Sequence, residues 1–150
     1  MIQRIQSIYL LLVTILLIIS MCNPAGYIIG GDNEISTFGN LYITLPDGTQ
    51  DYTPWALFGL LLITAVTAFT TIFLFKRRML QIRLSIFNSV LLIGYYAVCI
   101  MLIFAALTEK TSFNASWTIC LPFIAIILNW LAIRAIGKDE VLVKAYDRLR

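Results

Sequence analysis

Few side chains in this sequence could do chemistry, and the most notable are polar groups inside long apolar runs. Asn88 and Asn129 carry carboxamides within such runs, and Tyr95 and Tyr96 add two hydroxyls. An unpaired amide is costly in an apolar medium, so we expect Asn88 and Asn129 to hydrogen-bond to each other across two helices. This structural role is favoured over a ligand site, and helix packing is favoured over cofactor contact for the tyrosines.

Reactive and metal-ligating residues are scarce. The chain has no histidine, no CxxC motif, no glycine-rich phosphate loop and no acid or base pair within an apolar run. The usual means of binding a metal or nucleotide or of relaying protons are therefore missing, and we expect no catalytic residue, metal or cofactor. Cys22 and Cys120 are predicted to lie near the outer membrane interface, and Cys99 lies within a span. A disulfide between Cys22 and Cys120 is possible on that side, but two free thiols are favoured.

The composition explains where these residues must lie. Hydrophobic residues make up 60% of the 150 positions and charged residues 13%, against about half and about a quarter in a soluble domain. The chain is therefore predicted to be an integral membrane protein. Because the bilayer core contains almost no water, each spanning segment must satisfy its own backbone hydrogen bonds, which favours α-helices.

Four apolar runs are long enough to cross a bilayer: residues 5–22, 55–75, 84–107 and 117–136. The first is interpreted as a retained signal anchor. A cleaved signal peptide is the alternative, because the residues before Cys22 resemble the box that precedes a lipidated cysteine. Met21 stands where that box needs a small residue, so retention is favoured.

Residues 24–53 differ from the rest of the chain. Glycines separate short β-branched and aromatic runs such as 27–29 and 41–45, which indicates strands. Pro46-Asp47-Gly48 is typical of a type I turn followed by a left-handed glycine in a hairpin loop. We expect a small antiparallel sheet that leans on the outer ends of the helices, since two or three strands alone are marginally stable.

The segment 138–149 follows Gly137 and has the pattern of an amphipathic helix. Its apolar residues fall on one side, and Glu140 and Lys144 are spaced to form an ion pair. We expect this helix to lie along the cytoplasmic membrane surface, on lipid or on a partner protein. Its candidate partner-binding residues are Asp139, Glu140, Leu142, Lys144, Asp147, Arg148 and Arg150.

Charge predicts the orientation. With both termini in the cytoplasm, that side has ten of the eleven basic residues and three acidic ones, and the outer side has Lys110 and five acidic residues. This asymmetry satisfies the positive-inside rule. It indicates lipid headgroups rather than nucleic acid as the partner of the basic residues, the candidates being Lys76, Arg77, Arg78, Arg83 and Arg134.

The predicted fold class is thus membrane all-α, as a single membrane domain over residues 1–150. It has four transmembrane helices, a small antiparallel β ectodomain between the first two, and a C-terminal amphipathic cytoplasmic helix.

Three stretches carry a resemblance to a known family. They are the opening 1–6, the hairpin 75–83 and the ending from Leu121-Pro122 through 132–136, 139–143 and 147–150. Together they resemble a family of small four-helix inner-membrane proteins of Gram-negative bacteria, known only as a domain of unknown function. The resemblance implies a bacterial inner-membrane location and brings no activity or catalytic residue. The order of elements is also similar to the claudin-like architecture, without the cysteine pair and tryptophan motif of claudins.

Two functions are compatible with this sequence. The first is a non-enzymatic accessory or scaffold subunit of an envelope complex, bound to a larger membrane protein and to membrane lipids. The second is a carrier or sensor of a lipid or small lipophilic molecule, held between the second and third helices near Thr64, Thr67 and Tyr96.

Overall fold

The computed structural model describes residues 2–31, 34–107 and 111–148, with side chains from Ile5 onward. Over these ranges the chain forms four long α-helices: α1 (Ile2–Cys22), α2 (Trp55–Phe73), α3 (Arg78–Ala106) and α4 (Leu121–Arg148). A single 3-10 turn, Trp117–Cys120, leads into α4. All four helices are long and apolar enough to cross a membrane, as expected of a membrane protein.

The helices pack as a ring, in which α1 and α3 each contact both α2 and α4. Each helix buries one stripe of residues spaced three or four apart, because 3.6 residues complete a turn. On α3 the stripe is polar in its first half and apolar in its second, with buried residues Gln81, Ser85, Asn88, Leu92, Tyr95 and Cys99. The opposite faces carry large apolar side chains that stay exposed, as lipid-facing residues do.

The sheet has five antiparallel strands in the order β4-β3-β2-β1-β5. In chain order they are β1 (Gly26–Ile29), β2 (Ile35–Phe38), β3 (Ile43–Thr44), β4 (Gln50–Asp51) and β5 (Ser112–Ala115). The predicted hairpin is confirmed, since Gly48 has a φ of 79° and its N–H bonds to the Leu45 carbonyl at 2.9 Å. Four of the five strands thus come from the predicted ectodomain segment.

The fifth strand was not predicted. The segment that links α3 to α4 adds β5 to the edge of β1, with Ile28 opposite Phe113. The two strands lie so close that a Cβ atom at Gly26 would stand 2.4 Å from Phe113 Cζ, so only glycine fits there. The sheet is therefore built from two interhelical connections, α1 to α2 and α3 to α4, instead of from one.

The sheet lies on one end of the helix ring and shares its core. Phe38 and Ile28 are buried in the same cluster as Val13, Leu57 and Tyr95 of the helices. This end is called the sheet end. The opposite end, where α2 passes into α3 through Lys76 and Arg77, is called the basic end.

Two helices extend beyond the predicted spans. The third span was predicted from residue 84, and α3, which contains it, begins at Arg78, so Arg78 and Arg83 belong to its first two turns. The segment predicted as a separate C-terminal helix is helical up to Arg148, but it is not separate, because α4 runs without a break through Gly137. A single glycine costs about 1 kcal/mol in a helix, which the helix formers on both sides outweigh.

Candidate functional site at the basic end

Most of the described residues that were predicted to meet lipid headgroups or a partner gather at the basic end, and two of them contact each other. Arg78 Nη2 lies 3.4 Å from Asp139 Oδ2, and Arg78 Nη1 donates to the Asp139 carbonyl at 3.4 Å. This half-buried contact ties the start of α3 to α4. Arg78 and Asp139 therefore position helices and do not contribute free charges.

A cavity of about 840 Å³ opens between the α2–α3 turn and the last turns of α4. We call it the basic groove. Its lining residues are Phe75, Lys76, Arg77, Arg78, Met79, Leu80, Arg83, Glu140, Val143, Lys144 and Asp147. Lys144 Nζ pairs with Glu140 Oε1 at 3.0 Å, which confirms the predicted i,i+4 contact. The groove is thus cationic with an apolar component.

Residues 140–148 of α4, called the helix extension, project past the Arg78–Asp139 contact. Nine residues at 1.5 Å each carry the helix about 13 Å beyond Asp139. One face of the extension lines the basic groove with Glu140, Val143, Lys144 and Asp147. The opposite face carries Val141, Leu142, Ala145 and Tyr146, all exposed. Of the other predicted partner residues, Arg148 is exposed and Arg150 lies outside the described residues.

Arg134 lies elsewhere. Its guanidinium stacks over the Trp130 ring at 5.6 Å from the centroid, and it lines a shallow groove between α1 and α4 with Ile5 and Leu142. The structure therefore separates Arg134 from the four other predicted headgroup residues, which all line the basic groove.

The predicted hydrogen bond between Asn88 and Asn129 is wrong. Asn129 Nδ2 donates across to α3, but its acceptors are the Ser85 carbonyl and Ser89 Oγ, both at 2.7 Å. Among the described residues, neither amide atom of Asn88 has a hydrogen-bond partner, although the side chain is only 1% exposed. The two side chains lie at a similar level along the helices, but they do not face each other. The face of α3 that meets Asn129 carries Ser85 and Ser89.

The three residues named for a lipophilic site between α2 and α3 do not hydrogen-bond to one another. Thr64 and Thr67 donate to carbonyls of their own helix, Leu61 and Ile63 respectively. Tyr96 donates instead to the Ile119 carbonyl at 2.6 Å, toward the start of α4. Both helices contribute residues to the same buried core cluster, including Leu61, Ala65 and Ala68 of α2 and Leu92 and Cys99 of α3.

Cysteine and metal chemistry add no further site among the described residues. Cys22 and Cys120 are exposed free thiols, and Cys99 is a buried one. In the described ranges no three residues among histidine, cysteine, aspartate and glutamate come together to hold a metal ion.

Asn40 is the residue that sequence reasoning missed. Its Nδ2 donates to the carbonyls of Ser20 at 2.7 Å and Asn23 at 3.3 Å. Its Oδ1 accepts from the Tyr95 hydroxyl at 2.8 Å, and its backbone carbonyl accepts from the Phe58 N–H at 3.1 Å. One loop residue thus joins the sheet to α1, α2 and α3. A Gly-Asn pair at the end of a strand indicates only a turn.

A known protein family matches nearly the whole chain. No curated protein matches the sequence significantly. The family model described as "Domain of unknown function (DUF4293)" matches residues 2–149, a range that includes all four helices and the sheet. The chain therefore belongs to the DUF4293 family, a domain of unknown function.

Proposed function

We propose that this protein is a non-enzymatic accessory or scaffold subunit of a membrane protein complex in the bacterial inner membrane. The observation that carries the proposal is the exposed apolar face of the helix extension. Val141 is 68% exposed and Tyr146 is 74% exposed, on a helix that has run past the apolar part of the bundle. Such a face marks a surface that contacts another protein or a membrane.

The orientation follows from charge. The basic end carries Lys76, Arg77, Arg78 and Arg83, and α4 adds further cations beyond Ile136. The positive-inside rule places such an end in the cytoplasm, with both termini there and the sheet outside. The helix extension then stands in the cytoplasm, where a cytoplasmic domain or loop of a larger subunit reaches it.

The continuity of α4 favours a protein partner over the membrane surface. A separate amphipathic helix would turn at Gly137 and lie on the bilayer, but α4 does not turn. The contact between Arg78 and Asp139 also holds the helix in line with the bundle. The apolar face of the extension therefore points away from lipid, and a partner protein is what covers it.

A photoreactive phenylalanine analogue at Tyr146 tests this proposal in intact cells. We expect one discrete cross-linked protein of higher mass at this position. The matched control is the same analogue at Phe104, which is 73% exposed on the sheet-end half of α3 and faces lipid in the proposed orientation.

Three outcomes would contradict the proposal. No protein adduct at Tyr146 would leave the extension without a partner. Equal adducts at Tyr146 and Phe104 would indicate non-specific contacts. If the only adduct has the mass of two copies of this chain, the partner is a second copy and the protein forms a homodimer.

A further inference from the structure

We propose that the basic groove binds the phosphate headgroup of an anionic phospholipid from the cytoplasmic leaflet. This site rests on the orientation given under Proposed function, but it uses the opposite face of the helix extension from the protein interface. A single helix would thus contact lipid on one side and a partner subunit on the other.

The charges in the groove are not all satisfied within the protein. Arg78 is engaged with Asp139, and Lys144 with Glu140. Among the described residues, Lys76, Arg77 and Arg83 form no ion pair, and all three side chains are exposed. Three cations against the single carboxylate of Asp147 leave the groove with an excess positive charge, which an anionic headgroup neutralises.

The start of α3 also favours an anionic group in the basic groove. Arg77 occupies the N-cap position without a side-chain hydrogen bond to the helix, and the first turn contains no acidic residue. The first N–H groups of a helix lack intrahelical partners and carry the positive end of its dipole. A phosphate at this end of the groove would meet both the dipole and the free cations.

The level of the groove points to a lipid rather than a soluble anion. α2 has 19 residues, a length of about 28 Å, which matches the hydrocarbon thickness of about 30 Å. With Trp55 at the outer interface, the end of α2 reaches the inner interface and Lys76 lies among the headgroups. The groove therefore opens where phospholipid phosphates are concentrated.

The remaining lining fits the rest of a lipid molecule. Phe75, Met79, Leu80 and Val143 are apolar side chains in the same groove. Further along α3, Ile86, Phe87 and Val90 are exposed toward the bilayer. An acyl chain has a continuous apolar path along this helix once the phosphate sits among the cations.

Native mass spectrometry of the purified full-length protein tests the site, with phosphatidylglycerol and zwitterionic phosphatidylcholine as probes in detergent. We expect preferential retention of phosphatidylglycerol. Each interfacial cation contributes about five-fold to the affinity for anionic lipid. The triple variant Lys76→Gln, Arg77→Gln, Arg83→Gln should therefore lose at least about ten-fold of this retention. Measuring binding in detergent keeps the result independent of membrane orientation.

The control is Lys138→Gln, which removes an exposed cation of α4 that does not line the basic groove and should leave retention unchanged. Equal retention of both lipids, or an equal loss in the triple variant and the control, would overturn the proposal. Displacement of phosphatidylglycerol by millimolar inorganic phosphate would also overturn it, since the groove would then be a soluble-anion site. Cross-linking from Tyr146 in the triple variant reports separately on the protein interface.

Discussion

Replacing Asn40 with alanine is expected to lower the free energy of unfolding by about 3 kcal/mol, because three side-chain hydrogen bonds, two of them buried, are lost together. Asn40 is 3% exposed, and its amide reaches Ser20 and Asn23 near the end of α1 and the Tyr95 hydroxyl of α3. Alanine would leave the Tyr95 hydroxyl and the Ser20 carbonyl without these partners in a closed space. The sheet should therefore loosen from the helices before the bundle opens.

Equilibrium unfolding in mixed micelles, by titration with a denaturing detergent, measures this effect. Asn23→Ala is the matched control, because Asn23 donates at the surface to the Ile19 carbonyl and its backbone carbonyl remains. Tyr95→Phe removes one hydrogen bond and should cost about 1 kcal/mol, which keeps the claim testable if Asn40→Ala does not fold. Equal stability of Asn40→Ala and Asn23→Ala would contradict the role of Asn40.

Asn129→Leu should lower the stability, whereas Asn88→Leu should not. Asn129 makes two interhelical hydrogen bonds, to the Ser85 carbonyl and Ser89 Oγ, and their loss should cost about 1 to 2 kcal/mol. Asn88 is buried, and its amide has no hydrogen-bond partner among the described residues. Leucine there removes an unsatisfied amide from an apolar environment, so the variant should be as stable as the natural chain or more stable.

The same unfolding titration compares the two variants, and each serves as the other's control because both make the same substitution at a buried position. The double variant should equal the sum of the two changes, since no hydrogen bond joins Asn88 to Asn129. A large loss of stability in Asn88→Leu, or a coupling between the two sites above about 0.5 kcal/mol, would contradict the arrangement.

Helices and the hairpin were predictable because their signals are local. An apolar run of about 20 residues has few alternatives to a helix, and Pro46-Asp47-Gly48 encodes the turn found in the structure. The strand β5 was not predictable in the same way. Ser112–Ala115 has weak β character, and its pairing with β1 depends on a segment more than 80 residues away along the chain.

The site illustrates a second limit of sequence reasoning. Hydropathy gives the depth of a residue in the membrane, so Asn88 and Asn129 were correctly placed at similar levels. It does not give the rotation of each helix, and that rotation selected Ser85 and Ser89 as partners. Asp139 shows the same effect, because only packing of α4 on α3 turns it toward Arg78. Gly137 led to the wrong prediction of a helix end, because glycine is common just after helices. A single glycine inside a helix is nevertheless tolerated.

The central claim is that the apolar face of the helix extension binds a protein partner. It is tested most directly by purification from native membranes in mild detergent, with quantitative mass spectrometry of the bound proteins. The natural chain is compared with two double variants. One carries Leu142→Asp and Tyr146→Asp on the apolar face, and the control carries Lys144→Gln and Asp147→Asn on the groove face. We predict one protein in stoichiometric amount with the natural chain and with the control, and its loss in the variant with two aspartates. Purification of the natural chain alone, or equal recovery of the partner with all three proteins, would contradict the claim.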